Sequence, residues 1–444
     1  MPFGFIRFLL FLAVAAIVFR TLPARARQPY LFSVSYIFYA LWSIPHALLL
    51  LCATGVAYLA GNRLAGAREH RDKVLALAVS VVLLLGSLAF FKYVNQVEGI
   101  LRGTRQLYWL FPVGISYYTF KLISYIVDVF WDNIPAEKDF LSFATCAAFF
   151  PQIASGPIHR PAEFLPQLAA LELPTSKALV IGVRLIALGL FQKIVIADRL
   201  GMIVDPLYAS AGEYHGWPLM VGLYCFSIQL YADFSGMTDI AIGSGMLFGL
   251  RSPENFDKPF LAQSIKEFWR RWHMTLTSWI TDYVFTPLQI ALRNYGTLGL
   301  TVCLFITMLT LGAWHGARWN YLIFGAIHGV FLTVSALTMQ RRNRFFKKHK
   351  GWVPFRKIAA PIITFHLVTL SFVFFRAETP AKAFTILHNL LQSQTFPLEL
   401  QRLFPTPYGI VVLGAAFVLM EIGFVALRFA VDGNESGVSE SDYV

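Results

Sequence analysis

The stretch LIFGAIHGVFLTVSALTMQRRNRFFKKHK, residues 322–350, joins two chemically opposite halves. Its first part belongs to an apolar block over 319–339, and its last ten residues, 341–350, hold six Lys and Arg. A bilayer-crossing helix needs roughly 20 mostly apolar residues, and short basic loops stay on the cytoplasmic side. The stretch therefore reads as a transmembrane helix that ends in the cytoplasm. His328 stands twelve positions before Gln340, roughly 18 Å up the helix at about 1.5 Å per residue. That is near the middle of a hydrocarbon core of about 30 Å. A titratable side chain is costly there, and usually faces a bundle interior or a water-filled cavity. His328 is therefore a candidate functional residue. The competing reading is a histidine that only hydrogen-bonds a neighbouring helix.

The pentapeptide around His328, GAIHG at 325–329, has a near copy thirteen residues earlier, GAWHG at 312–316. Gly325 and Gly329 form a small-xxx-small pattern that lets another helix backbone approach closely. His315 closes the apolar run 298–314 and precedes Gly316, with Trp314, Trp319 and Tyr321 around it. Aromatic residues gather at membrane–water interfaces, so His315 is expected in a helix–helix turn on the non-cytoplasmic side. In one unbroken helix the two histidines would stand roughly 20 Å apart, so they meet at one substrate atom only if the chain bends near Gly316. Catalytic and structural roles both fit His315.

The rest of the chain agrees with a membrane setting. It is 57% hydrophobic and 14% charged, with mean hydropathy +0.58, where a soluble domain carries about a quarter charged residues. Further apolar blocks fall at 4–19, 73–92, 178–196, 355–375 and 408–430. We expect an all-α polytopic membrane protein with about ten to twelve transmembrane or re-entrant segments. One membrane domain over 1–430 is expected, followed by a polar, disordered tail over 431–444 (VDGNESGVSESDYV from 431). The N-terminus resembles a signal peptide, but its apolar run leads directly into more membrane segments and reads as a retained helix. The net charge of +12 sits in short loops such as RTLPARARQ (20–28) and AREHRDK (67–73), which points to the positive-inside pattern and not to nucleic acid. The four cysteines are scattered in apolar segments without ligand spacing, so neither disulfides nor a metal site are expected.

The least apolar interior block, about 251–294, contains EFWRRWHMTLTSWI at 267–280. Trp269, Trp272, Leu276 and Trp279 fall at helical 3-4-3 spacing, which predicts one apolar helix face at the membrane boundary. Arg270, Arg271 and His273 lie off that stripe, toward water. They are either donor-binding groups or interfacial anchors. Asp233, Ser235 and Asp239 are polar groups within the apolar segment 217–250; they line a passage or tie helices together. His159 and Glu163 are expected in a surface loop.

Several of these stretches resemble the membrane-bound O-acyltransferase superfamily, and within it the alginate O-acetylase-like bacterial branch. The matching segments include FPVGISYYTFKLISYIVDVF (111–130), FFPQIASGPIHRPAEFLPQL (149–168), YADFSGMTDIAIGSGMLFGL (231–250), PENFDKPFLAQSIKEFWRRWHMTLTSWITDYVFTPL (253–288) and GAWHGARWNYLIFGAIHG (312–329). The resemblance implies a ring of transmembrane and re-entrant helices around a central tunnel. It implies an acyl, expected to be acetyl, moved from a cytoplasmic thioester donor to hydroxyls of a cell-surface or secreted polysaccharide, at the bacterial inner membrane. It implies His328 as the catalytic base, with His315 as a second site histidine that positions the acceptor or passes the acyl group on. Donor contacts would come from His273, Arg270, Arg271, Trp272, Asp233 and Ser235. No bound cofactor is implied; acetyl-CoA or an acylated carrier protein is the substrate. A separate periplasmic or extracellular acetyltransferase is the expected protein partner, with membrane lipid around the chain. After Pro287-Leu288 the chain lacks the glycine-rich basic continuation of many alginate-type members, which leaves the acceptor open and admits D-alanyl transfer to teichoic acid. A transporter without acyl-transfer chemistry is the rival class. Transporters commonly show paired inverted repeats, and the sequence shows none.

Overall fold

The computed structural model describes residues 4–94 and 111–392. The expected span at 408–430 and the tail at 431–444 lie outside the described residues. Within them the chain is helical throughout, with no strand and one isolated bridge between Phe256 and Trp272. The principal helices are α1 (Phe5–Thr21), α2 (Ala24–Trp42), α3 (Ile44–Gly66), α4 (His70–Ala89), α5 (Ile115–Phe130), α6 (Phe140–Ala148), α7 (Pro161–Ala169), α8 (Ser176–Leu190), α9 (Asp198–Ala209), α10 (Gly216–Met246), α11 (Ile265–Arg271), α12 (Met274–Ile280), α13 (Thr286–Ala291), α14 (Gly296–His315), α15 (Trp319–Lys348), α16 (Val353–Arg376) and α17 (Pro380–Asn389).

Among the described residues, six helical stretches are long and apolar enough to cross a bilayer: Ile44–Gly66, His70–Tyr93, Ser176–Ala209, Arg293–His315, Trp319–Lys348 and Lys350–Arg376. Many of their side chains stay exposed although apolar, as Val82 and Ile358 do at 68% each. Water would penalise such faces, whereas lipid matches them. The chain is thus a multi-pass membrane protein. Within the described residues fewer spans meet that standard than the ten to twelve transmembrane or re-entrant segments expected of the whole chain, in part because α1 has only 17 residues.

The polar caps explain where several helices begin. Asp139, Thr175 and Thr379 accept from backbone N–H groups in the first turns of α6, α8 and α17. Ser264 does the same for α11, and Glu267 reaches back to the N–H of Gln263 at 2.8 Å, a near relative of the reciprocal capping box. Inside the bundle, α5 buries 13 of its 16 residues and packs mainly against α3 and α4.

The α14–α15 hairpin carries both pentapeptides. A Cβ on Gly312 would fall 2.3 Å from the Tyr321 carbonyl oxygen, and one on Gly325 would fall 2.4 Å from that of Met308. The shared glycines are therefore the contact seam between the two helices. Gly329, expected in the same pattern, faces Phe305 of α14. The hairpin also orients the molecule. Tyr93, at the far end of the stretch begun by basic residues 67–73, donates to the Ala313 carbonyl at 2.5 Å. The helix α15 then runs back toward its own basic end, so segments 67–73 and 341–350 lie at the same end of the bundle, opposite His315.

One expectation fails here. The 267–280 stretch is not a continuous boundary helix. After Arg271 the chain passes through an extended Trp272 (φ −112°, ψ 125°) and a left-handed His273 (φ 44°, ψ 54°) before α12 starts. Residues 255–257 cause the break by taking over its hydrogen bonds. The Asp257 N–H donates to Arg271 O at 3.0 Å and the Met274 N–H to Asn255 O at 2.9 Å. The Asn255 side chain accepts from both the N–H and the hydroxyl of Thr275. Backbone groups released by a helix break must find partners when buried, and this segment supplies them. The four stripe residues are nonetheless all buried. His159 departs too: it is buried, not in an exposed loop, with Nδ1 3.3 Å from the Gln152 amide and Nε2 3.6 Å from Glu163. Burial, followed by the field of the Lys121 ammonium, pushes its pKa down to about 3, so that contact is to a neutral imidazole.

Candidate active site

Two histidines, His273 and His315, meet at Trp314 near the end of α14, and His328 lies apart from them. His273, only 1% exposed, sits in the α11–α12 break. Its ring contacts Phe234 (4.6 Å between centroids), Trp314 (5.7 Å) and Tyr117 (6.5 Å). A left-handed backbone on a non-glycine residue costs on the order of 1–3 kcal/mol, and such strain clusters at functional sites. Among the described residues its Nε2 has no hydrogen-bond partner. Burial, reinforced by His315, holds its pKa well below the ordinary imidazole range. His273 was expected off the apolar stripe, facing water with the arginines; the kink turns it inward instead.

His315 is the last residue of α14 and is half-buried. Its ring packs on Trp314 (4.9 Å), Phe375 (4.9 Å) and Tyr321 (6.1 Å). The expected helix–helix turn is there: Gly316 is extended and α15 begins at Trp319. Among the described residues no hydrogen bond claims the His315 ring. A lysine missed in the sequence joins it. Lys92, buried in the π-helical turn Phe90–Val94, donates to the Trp314 carbonyl and, at 3.1 Å, to Ser116 Oγ. A helix end exposes unpaired carbonyls and favours a cation, so Lys92 and Tyr93 together close α14. The indole Nε1 of Trp314 is buried and has no acceptor among the described residues.

His328 belongs to a different environment. It is fully buried, and both ring nitrogens are engaged: Trp269 Nε1 donates to Nδ1 at 3.2 Å, and Nε2 lies 2.9 Å from Ser371 Oγ. Phe324 (4.6 Å from the His328 ring) and Phe375 stand between it and His315. His315 and His273 thus both pack on Trp314, while His328 lies one aromatic layer away.

The remaining expected site residues scatter. Arg270 is exposed. Arg271 is held by Glu267 at 2.7 Å. Trp272 is buried and stacks on Phe268. Asp233 is part-exposed and paired with Lys193 at 2.7 Å. Ser235 donates to Gln192 Oε1 at 2.7 Å, and Gln192 donates to Asp239 at 3.0 Å. Asp233 and Ser235 thus tie α10 to the turn Phe191–Ala197, while Phe234 between them touches His273. Among the described residues, no group of three or more His, Cys, Asp or Glu converges as metal ligands do. Lys92 had a faint signal in the sequence, a lysine closing the apolar run 73–92. Ser371 had less, one of three hydroxyls within 355–375.

A family model described as MBOAT, membrane-bound O-acyltransferase family, matches residues 134–374. A protein described as probable alginate O-acetylase AlgI, from Pseudomonas aeruginosa, is 35% identical over 433 residues, covering 94% of this chain and 80% of its own. A peptidoglycan O-acetyltransferase from Helicobacter pylori is 29% identical, covering 86% of this chain and 78% of its own. A teichoic acid D-alanyltransferase from Streptococcus thermophilus is 34% identical, covering 69% and 77%.

Proposed function

This chain belongs to the membrane-bound O-acyltransferase family, and from that membership we propose that it takes an acyl group from a cytoplasmic thioester and passes it across the bilayer to O-acylate a surface or secreted polysaccharide. The acyl group is acetyl in this reading, the donor acetyl-CoA or an acylated carrier protein, and the location the bacterial inner membrane. The similar proteins named for O-acetylation of alginate and of peptidoglycan support it. D-alanyl transfer to teichoic acid is the second reading, supported by the similar D-alanyltransferase. A separate periplasmic or extracellular acetyltransferase would complete delivery to the glycan.

The observation that carries the chemistry is the pairing of His273 and His315 around Trp314. Acyl transfer needs a base for the attacking hydroxyl and a donor for the oxyanion. The expectation from resemblance gave the base to His328. We assign it to His315, because its ring is uncommitted and partly accessible while both nitrogens of His328 are occupied. A neutral His315 removes the proton from the acceptor hydroxyl. The oxygen attacks the thioester carbonyl, the tetrahedral oxyanion accepts from the free Trp314 N–H, and the carbon–sulfur bond breaks. The proton returns from His315 to the leaving thiolate. His273 orients the reacting group through its unpartnered Nε2, and the Lys92 ammonium adds positive potential at the developing oxyanion. Exposed Arg270 is the donor-phosphate contact, a role that Arg271, paired to Glu267, fills less readily.

The test is a His315→Ala variant assayed for acyl esters on the surface glycan, with membrane abundance as control. Normal acylation at normal abundance would overturn the assignment. Thioester turnover by the purified protein separates the enzyme from a transporter.

A further inference from the structure

His328 is fully buried, and its hydrogen bonds have fixed directions. An indole N–H only donates, so Nδ1 of His328 must present its lone pair to Trp269. The Ser371 hydroxyl spends its proton on the Val368 carbonyl at 2.7 Å. Its oxygen can then only accept from His328, so Nε2 carries the hydrogen. The ring is neutral, in one tautomer, and has no lone pair left. To take a proton from a substrate it would have to release Trp269.

That release would move more than one side chain. Trp269 lies on α11, a helix of seven residues, and the strained His273 follows four positions later. Trp269 leans on the His328 ring at 5.0 Å. On the same short helix Phe268 stacks on Trp272, which meets Phe372 of α16 at 5.3 Å. The Ser371 contact ties the same histidine to α16, so one imidazole links α15, α16 and α11.

We propose that His328 is a positioning residue: it clamps Trp269, and through α11 it holds His273 against Trp314 and His315. The inference rests on the acyl-transfer reading for its effect on rate, but the clamp itself has an independent readout. A Gln side chain offers an amide oxygen and an N–H₂ side by side, and so can accept from Trp269 and donate to Ser371.

The experiment compares wild type, His328→Gln, His328→Ala and Trp269→Phe, each purified in lipid nanodiscs. Carbethoxylation of each histidine by diethyl pyrocarbonate is followed by mass spectrometry, alongside kcat against pH. In His328→Ala and Trp269→Phe, labelling of His273 should rise about fivefold or more, and turnover should fall. His328→Gln should keep wild-type labelling of His273, at least a third of the turnover, and an unchanged pH profile. His328→Gln as inactive as His328→Ala while His273 labelling stays at the wild-type level would overturn the clamp and make His328 a chemical participant. Unchanged His273 labelling in a folded His328→Ala protein would overturn it as well. Because labelling does not depend on turnover, failure of the acyl-transfer reading leaves this test intact.

Discussion

GAWHG and GAIHG differ by one residue, yet their histidines live in opposite conditions. His315 ends a helix, is half-buried and, among the described residues, has no hydrogen-bond partner for its ring. His328 lies inside a helix, fully buried, with each nitrogen held. What the two share is the glycine. Gly312 and Gly325 form the seam where α14 and α15 touch, so the repeated motif records one packing requirement met from both sides. The lesson concerns depth in a membrane. A mid-helix histidine is expensive and must be satisfied, and here each ring nitrogen of His328 has a partner. A histidine at a helix end can stay open.

That contrast can be attacked most strongly through His315. Replacing it by Ala should lower turnover by about 10²–10⁴-fold, the usual worth of general-base help, with membrane abundance unchanged. His328→Gln should sit far above it, and equal losses in the two would erase the distinction. The seam comes next. Gly325→Leu must push aside the Met308 carbonyl, and overpacking of this kind costs about 1–3 kcal/mol; reduced membrane abundance and a lower midpoint on heating in detergent would show it. Milder still is the arginine pair. Arg270→Gln should raise KM for acetyl-CoA about tenfold, worth ~1.4 kcal/mol, and Arg271→Gln should raise it less, because Glu267 already holds that guanidinium. The smallest change is expected at Asp233→Asn. Its pair with Lys193 is part-exposed and such pairs are worth about 0–1 kcal/mol, so acylation should stay near wild type. A large loss there would mean that Asp233 touches substrate.

Much of the fold was legible because it follows from local chemistry. The apolar runs within the described residues became helices with lipid-facing side chains, and the basic loops 67–73 and 341–350 came out at one end. The helix–helix turn at His315 was readable from Gly316 and its flanking aromatics. The break at Trp272–His273 was not readable. Its local pattern is a sound amphipathic helix, and what defeats it is a competitor some 17 residues upstream, the 255–257 backbone. The site shared this fate. His273 faces inward because of that break, and Lys92 reaches Trp314 from 222 positions away. Neither contact leaves a periodic trace in the chain.

By itself, then, the amino-acid order determined the solvent this protein lives in, where its helices run, and which residues could carry proton chemistry. Those are properties of hydropathy and residue type, summed over a window of neighbours. Only the tertiary structure decided which histidine remains open. A ring nitrogen is free or occupied according to what donors and acceptors arrive from distant segments. For His328 those are Trp269 and Ser371; for His315, among the described residues, none arrive.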